Sequence, residues 1–368
     1  MVQHTLYGSP MSLYTGRARS YLIKSGVAFR EEPLVSAHFY EQVLPRAGGR
    51  RSMPTLEFAD GSVIRDSVAI VDHFEAANAY PFTPTTPCQQ IVSLLLDVIG
   101  AEGMLRPAMH YRWNQNEDNT RFVEFHFYQL FEDQQTARDR MQHLRTTANP
   151  HMGIVPQTYA LIERLYAQLL TRLETHFSAY PYFLGTKPCI GDFGMIAPLY
   201  GHLGRDPVPL ALMQKQAVRA WRWVERMNRP EPDMGEFGLP AEAYLSDDKI
   251  PDTLVAVLRE LAVDFVPETI AAAQVTNTYL AEHPDLEGTP VERAVGMGSF
   301  TVDGDTISSM AQPFRFYLLA RVQDTFAGLS AADQENVRAL LRACDMDRLL
   351  DCTITRRIGR ANNLEIWL

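Results

Sequence analysis

The stretch that decides the fold of the N-terminal part of this chain is Met53-Pro54-Thr55-Leu56-Glu57-Phe58-Ala59-Asp60-Gly61-Ser62-Val63-Ile64-Arg65-Asp66-Ser67. Residues 55–58 form a short β-prone run, Asp60-Gly61 is a two-residue hairpin signal, and residues 62–65 return as the partner strand. A proline before a strand cannot donate to the ladder, so Pro54 predicts an edge or a special turn, and a cis Met53–Pro54 bond is one such turn. Asp66-Ser67 then begins a helix.

The segments before and after this hairpin extend the pattern. Residues 3–8 form a strand, residues 13–24 have helical spacing closed by Gly26, and residues 29–34 form a second strand. Residues 39–44 form a short helix or an irregular turn before Gly48-Gly49. A further helix covers residues 66–77. The order β-α-β-α-β-β-α over the first 80 residues predicts a thioredoxin-like α/β domain.

A proline-rich stretch over residues 81–88 predicts a linker, and the period then becomes helical. We expect a second, all-helical domain over residues 89–230 and a small α+β extension over residues 231–368, after a junction with several prolines. In the extension the sequence predicts two helical stretches joined at Pro267, a β-hairpin around Asp303-Gly304, two further helices, and a single extended strand over residues 352–368.

Composition excludes several functional classes. A formal charge of −10 opposes binding to nucleic acid, and no run approaches the roughly 20 apolar residues of a membrane span. The four cysteines are widely spaced, with no Cys/His cluster at metal-binding distances. The first residues lack the features of a secretory signal, which predicts a cytoplasmic protein that binds neither metal nor membrane.

Two motifs together resemble the glutathione S-transferase family. The first is the series Met53-Pro54, Asp60-Gly61 and Asp66-Ser67; the second is Pro181-Tyr182-Phe183-Leu184-Gly185 followed by Cys189-Ile190-Gly191-Asp192-Phe193. The resemblance covers about residues 1–228. It implies a thioredoxin-like domain that binds glutathione as co-substrate and an all-helical domain that receives an electrophile. Cys189 stands where the family has Ser or Thr as a helix cap, so Asp192 must supply most of the capping.

The resemblance places the thiol-activating group in the turn Ser9-Pro10-Met11-Ser12-Leu13-Tyr14-Thr15. Ser12 is the preferred donor to the glutathione sulfur, and Tyr14 and Ser9 are the alternatives. A serine before a helix is also commonly a plain N-cap, and both roles are compatible. No cysteine lies in this turn, which disfavours disulfide exchange and leaves glutathione as the nucleophile.

The resemblance also implies a set of glutathione-binding residues. Asp66 would receive the γ-glutamyl ammonium, and the Ser67 hydroxyl with the helix N-terminus would hold the adjacent carboxylate. Met53, ahead of Pro54, would pair its backbone with the cysteinyl residue. Arg50 and Arg51 are candidates for the glycyl carboxylate, although adjacent arginines are often only solvated.

The helical domain would supply the electrophile pocket, for which the candidates are Met104, His110, Tyr111 and Arg112. Such a mixed stripe is more often core than pocket. The leading hypothesis is therefore a homodimeric detoxifying glutathione transferase, serine-type rather than tyrosine-type, that attacks a small apolar electrophile by conjugation or a lyase step. The alternatives are a non-catalytic binding or assembly protein, and an extension that acts as a lid.

Overall fold

The computed structural model describes residues 3–114, 117–230, 236–238 and 241–368. The predicted α/β unit is present at the N-terminal end. Its elements are β1 (His4–Tyr7), α1 (Leu13–Lys24), β2 (Phe29–Glu32), α2 (Leu44–Arg46), β3 (Thr55–Glu57), β4 (Val63–Arg65) and α3 (Ser67–Ala77). The sheet order is β2-β1-β3-β4, with β1 and β2 parallel and the other pairs antiparallel. Strand β4 is therefore an edge of this sheet.

The local signals around β3 and β4 act as the sequence predicts. The Met53–Pro54 bond is cis, and Gly61 has a φ of 82° in the turn. Asp60 closes the turn because its Oδ1 accepts a hydrogen bond from the Ser62 amide at 2.9 Å. The two strands pair in register from Thr55↔Arg65 to Glu57↔Val63.

A helical unit follows. Its members are α4 (Pro87–Val98), α5 (Leu105–Trp113), α6 (Glu117–Tyr128), α7 (Gln134–His143), α8 (Asn149–His151), α9 (Tyr159–His176), α10 (Ile190–Gly201), α11 (Pro207–Gln216) and α12 (Val218–Met227). A π-helical turn, Ile99–Gly103, joins α4 to α5. Helix α10 packs on α1, on α4 and on the π-helical turn. A Cβ at Gly100 of this turn would lie 2.2 Å from the Gly194 carbonyl of α10, so the close approach of the two backbones requires glycine.

The helical period of the sequence continues through residues 118–146 and through residues 210–227, which predicts one helix in each segment, but the structure divides both. The segment 118–146 breaks because Asp133 restarts the chain as a new N-cap, accepting from the Thr136 amide at 2.8 Å. The segment 210–227 breaks at Ala217, whose φ of −146° is not helical. At α10 the Asp192 carboxylate accepts from the Cys189 amide at 2.9 Å, as the cysteine at the cap position leads one to expect.

The C-terminal unit contains α13 (Asp252–Glu282), β5 (Met297–Val302), β6 (Asp305–Met310), α14 (Phe314–Ala327), α15 (Ala331–Ala343), β7 (Ile358–Ala361) and β8 (Leu364–Trp367). The predicted break at Pro267 is wrong: α13 is one helix of 31 residues that includes this proline. Its apolar residues on both sides of Pro267, such as Leu261 and Ala272, are buried, so tertiary packing outweighs the lost backbone hydrogen bond.

Of the two predictions for strands in this unit, one is confirmed and one is wrong. The predicted hairpin around Asp303-Gly304 is confirmed as β5 and β6. The single strand expected over residues 352–368 is wrong, because Asn362 and Asn363, with φ of 51° and 63°, turn the chain back into the hairpin β7–β8. Two adjacent asparagines are a local signal for a two-residue hairpin turn, and this signal was not used in predicting the strand.

The predicted fold class is confirmed: an α/β thioredoxin-like unit, a helical middle and a small α+β unit. Helix α14 packs on α4, and α13 packs on α9. Much of the junction between the helical and C-terminal units, residues 231–235 and 239–240, lies outside the described residues. Among the residues that are described, none of the helices combines the length and the apolar character that a membrane crossing requires.

Candidate active site

The turn between β1 and α1 places Ser12 at the start of a helix. Ser12 has extended backbone angles, φ −82° and ψ 130°, and its Oγ accepts a hydrogen bond from the Thr15 amide at 3.3 Å. Its side chain is half-buried. Because the bond to Thr15 uses Oγ only as acceptor, the hydroxyl proton stays available for donation to an anion at this helix end.

The two alternatives to Ser12 have different surroundings. Ser9 is buried, and its carbonyl accepts from the Ser12 amide at 3.1 Å and from Arg19 Nη2 at 3.2 Å. The Tyr14 hydroxyl donates to the Ala101 carbonyl of the π-helical turn at 3.3 Å. Burial, with a smaller effect of Glu102, raises the pKa of Tyr14 well above its ordinary value, which makes this phenol a weaker acid.

The cis-proline loop is joined to the start of α3. The Pro54 carbonyl accepts from the Asp66 amide at 3.0 Å, and Met53 packs against the cluster of Tyr7 and Phe39. Asp66 has a φ of 86°, and its Oδ1 caps α3 by accepting from the Val68 amide at 2.7 Å. Ser67, the first residue of α3, is 1% exposed. The predicted pair Met53 and Asp66 therefore lies in one corner.

The C-terminal hairpin covers this corner. Arg65 Nη2 donates to both oxygens of Glu365, at 2.9 and 2.7 Å, and the two side chains are only 5% and 7% exposed. Asn363 occupies the open edge of β4: it accepts from the Arg65 amide at 3.2 Å and donates to the Val63 carbonyl at 3.0 Å. Arg360 Nη2 donates to the Arg65 carbonyl at 2.8 Å.

Asp66 itself lies within reach of this hairpin. Arg360 Nη1 is 3.6 Å from Asp66 Oδ1 and 3.2 Å from a Glu365 oxygen. Burial raises the pKa of Asp66, and the positive charges of Arg360 and Arg17 oppose that rise. No sequence pattern indicated Arg360, Asn363 or Glu365, because they lie about 300 residues from their partners and no local signal links the two segments.

Glu102 is a second carboxyl group that the sequence did not single out. It lies in the π-helical turn, is 4% exposed, and its Oε2 has no hydrogen-bond partner among the described residues. Burial raises its pKa to about 7, with Arg315 and Arg293 of the C-terminal unit opposing this and Glu268 and Asp66 adding to it. Glu102 thus acts electrostatically on both Tyr14 and Asp66.

The candidate cations for the glycyl end lie on the loop before β3. Arg51 Nη2 donates to the Leu34 carbonyl at 3.3 Å and to the Leu130 carbonyl of the helical unit at 2.9 Å. Arg50 is partly exposed and lies 3.8 Å from Glu365. Arg51 therefore bridges two units of the molecule, while Arg50 faces the C-terminal hairpin.

The predicted electrophile pocket is distributed inside the helical unit. Arg112 pairs with Asp206 at 2.6 Å and also donates to the Met11 carbonyl at 2.9 Å, next to Ser12. His110 lies 2.9 Å from Glu163. The Tyr111 ring lies against that of Tyr166, and Met104 lines a cavity of about 50 Å³ between α5, α9 and α13. All four residues are buried, and Arg112 is the one in contact with the predicted thiol-activating turn.

Comparison with known proteins adds one assignment. The family model described as "Glutathione S-transferase, N-terminal domain" matches residues 6–82, the part of the chain that holds Ser12, Met53 and Asp66. No curated protein matches the chain. The family match therefore concerns the α/β unit.

Among solved structures, a GST-like protein from Pseudomonas syringae is 14% identical, with 85% of this chain and 97% of that chain covered and a TM-score of 0.43. The beta-etherase LigF from Sphingobium sp. strain SYK-6 is 17% identical, with 61% and 94% covered and a TM-score of 0.40. A glutathione S-transferase from Methylobacterium radiotolerans, in complex with glutathione sulfonate, is 14% identical, with 61% and 90% covered and a TM-score of 0.37.

Proposed function

We propose that this chain, whose residues 6–82 match the N-terminal domain of glutathione S-transferases, binds glutathione and activates its thiol for attack on a small apolar electrophile. The observation that carries the proposal is the arrangement of residues 6–82, in which a helix-capping Ser12, the cis Met53–Pro54 bond and the Asp66 cap share one family-matched domain. Conjugation and a lyase step are both compatible with it.

The roles follow from the chemistry of glutathione, which has two carboxylates, one ammonium and one thiol. The Asp66 carboxylate takes the ammonium, and the Met53 backbone pairs with the cysteinyl residue in the manner of an added strand. Arg50 or Arg51 meets the glycyl carboxylate. Together these contacts fix the orientation of the tripeptide in addition to attracting it.

Ser12 lowers the pKa of the bound thiol. Its hydroxyl donates to the developing thiolate, and the positive end of α1 adds to this effect. A free thiol has a pKa of roughly 8.5, so a moderate decrease makes most of it anionic near neutrality. Tyr14 is the weaker candidate, because its hydroxyl already donates to the Ala101 carbonyl. For the electrophile we retain Met104, His110, Tyr111 and Arg112 as the proposed surroundings, with Arg112 next to the turn.

The proposal has three further parts. The domain limits are residues 1–80, 81–88, 89–230 and 231–368; the protein forms a two-fold homodimer, the general default for soluble oligomers; and it acts in the cytoplasm, in detoxification. Size-exclusion chromatography with light scattering tests the second part. A mass of one chain would contradict it.

Calorimetric titration with glutathione tests the proposal directly. Binding at or below millimolar concentration is expected, and no binding at that concentration would refute it. The role of Ser12 is tested with Ser12→Ala, in which the absorbance of the bound thiolate should titrate at higher pH than in the wild type. Ser9→Ala and Tyr14→Phe are the matched controls, and a shift confined to Tyr14→Phe would move the role to that residue.

A second candidate function is a glutathione transferase-fold protein without catalysis, used for binding or assembly. The observation that favours it is the C-terminal unit, which places a buried ion pair against the proposed site and has no assigned chemistry. The two functions are separated by turnover: glutathione binding with no acceleration of reaction with a panel of apolar electrophiles would favour the second.

A further inference from the structure

The charges at the corner where β4 meets α3 are unbalanced. Three arginines, Arg50, Arg65 and Arg360, face two carboxylates, Asp66 and Glu365. Glu365 already receives two hydrogen bonds from Arg65. One positive charge is therefore in excess, and Arg360 is the cation that lies next to Asp66.

Arg360 is incompletely satisfied in its present position. Its Nη2 donates to the Arg65 carbonyl, but its Nη1 lies between Asp66 and Glu365 and makes no hydrogen bond to any described residue. The side chain as a whole is 17% exposed. Arg17, the other cation that acts on Asp66, is 0% exposed and forms an ion pair with Asp97 at 2.6 Å, so of these two cations Arg360 is the one with exposed surface at this corner.

Ser67 alone would leave the ligand carboxylate without a counter-charge. The sequence places this carboxylate, which lies next to the ligand ammonium, at the Ser67 hydroxyl, but Ser67 is uncharged and only 1% exposed. A γ-glutamyl group presents an ammonium and a carboxylate on one carbon atom. When the ammonium pairs with Asp66, Arg360 loses that partner, and the ligand carboxylate takes its place.

From these contacts we propose that Arg360, carried by the hairpin β7–β8, binds the α-carboxylate of the γ-glutamyl group while Asp66 binds its ammonium. This inference rests on the proposed binding of glutathione. It assigns the C-terminal unit a direct part in the site, outside the family-matched residues 6–82. The site is thus built from two segments nearly 300 residues apart.

The test is a cycle of two ligands and two proteins, measured by calorimetric titration. The ligands are glutathione and 4-aminobutyryl-cysteinylglycine, which lacks only the α-carboxylate; the proteins are the wild type and Arg360→Gln. In the wild type, removal of the carboxylate should weaken binding by roughly tenfold to a hundredfold, as for a charge-assisted hydrogen bond. In Arg360→Gln, the binding of glutathione should weaken by a similar factor, and the two ligands should bind with nearly equal affinity.

The matched control is Arg357→Gln, on the same segment, which breaks an exposed pair with Asp324 and should bind both ligands as the wild type does. Arg360→Lys keeps the charge and should restore part of the preference for the carboxylate.

If Arg360→Gln does not fold, the wild type alone decides, because equal binding of the two ligands would overturn the inference. Equal weakening of both ligands by Arg360→Gln, or no weakening, would also overturn it and leave glutathione binding intact. Failure of the wild type to bind either ligand would refute the proposed function together with this inference.

Discussion

The two ends of the proposed glutathione site are built in different ways. At the thiol end, Ser12 makes its cap contact with Thr15, three residues away. At the γ-glutamyl end, Arg65 and Asp66 are surrounded by Arg360, Asn363 and Glu365. A local motif suffices to position a hydroxyl at a helix end, whereas a charged corner at a sheet edge depends on a segment that folds onto it from far along the chain.

The largest expected effect is a loss of stability when the ion pair at the γ-glutamyl end is removed. Glu365→Ala leaves the buried Arg65 guanidinium without its counterion, and loss of one partner of a buried ion pair costs about 3–5 kcal/mol. Thermal and urea unfolding should show this loss. Asp351→Ala, which breaks the exposed pair with Arg338, is the control and should change stability by less than about 1 kcal/mol. Equal effects of the two variants would mean that the hairpin does not stabilise this corner.

A smaller effect concerns Glu102, which links the two ends electrostatically. Its pKa in the folded protein is about 7, above its usual 4.5, so the folded state holds this proton more tightly than the unfolded state does. The contribution of Glu102 to the free energy of unfolding should therefore decrease as pH rises from about 4.5 to 7 and stay at its lower value above that. Glu102→Gln should be more stable than the wild type at pH 8, by about 2–3 kcal/mol, and similar near pH 4.

Urea unfolding of both proteins across this pH range measures the difference. The buried Asp192, with a pKa raised to about 6, has the same sign but is common to both proteins and cancels. Glu335→Gln, at an exposed pair with Arg342, keeps Glu102 and is the control, so its stability should follow the pH profile of the wild type. A wild type and Glu102→Gln with parallel pH profiles would contradict the prediction.

The smallest expected effect is on stability at the thiol end, where Ser12 caps α1. Ser12→Ala removes the cap of α1 and should lower the free energy of unfolding by about 1 kcal/mol, while Ser12→Thr keeps an acceptor and should lose only a few tenths. Urea unfolding gives both values. A loss of about 3 kcal/mol or more in Ser12→Ala would mean that this end also depends on distant contacts.

The same division explains how much the sequence could predict. The cis Met53–Pro54 bond, the Asp60-Gly61 turn and the cap at Asp66 depend on neighbours within a few residues, and they were predicted. The Asn362-Asn363 turn was equally local and was missed. The pairing of Arg65 with Glu365 had no local signal, because ion pairs between distant segments depend on how whole units pack.

Pro267 and the pocket candidates show a second limit. A proline predicts a helix end from backbone chemistry alone, but burial of α13 on both sides of Pro267 outweighs that preference. For His110 and Arg112 the sequence indicates a helix but not which face meets which neighbour. Their partners Glu163 and Asp206 come from other helices. Their part in binding an electrophile stays a prediction.

The Asn363 contact with β4 has a consequence for the order of folding. Until the hairpin docks, the Val63 carbonyl and the Arg65 amide lie open on one of the two edges of a four-stranded sheet, and open edges pair readily with strands of other molecules. Docking must close a separation of about 300 residues, an entropic cost that contacts within the sheet do not have. A refolding chain therefore protects this edge late, and until the hairpin docks β4 is open to pairing with strands of other molecules.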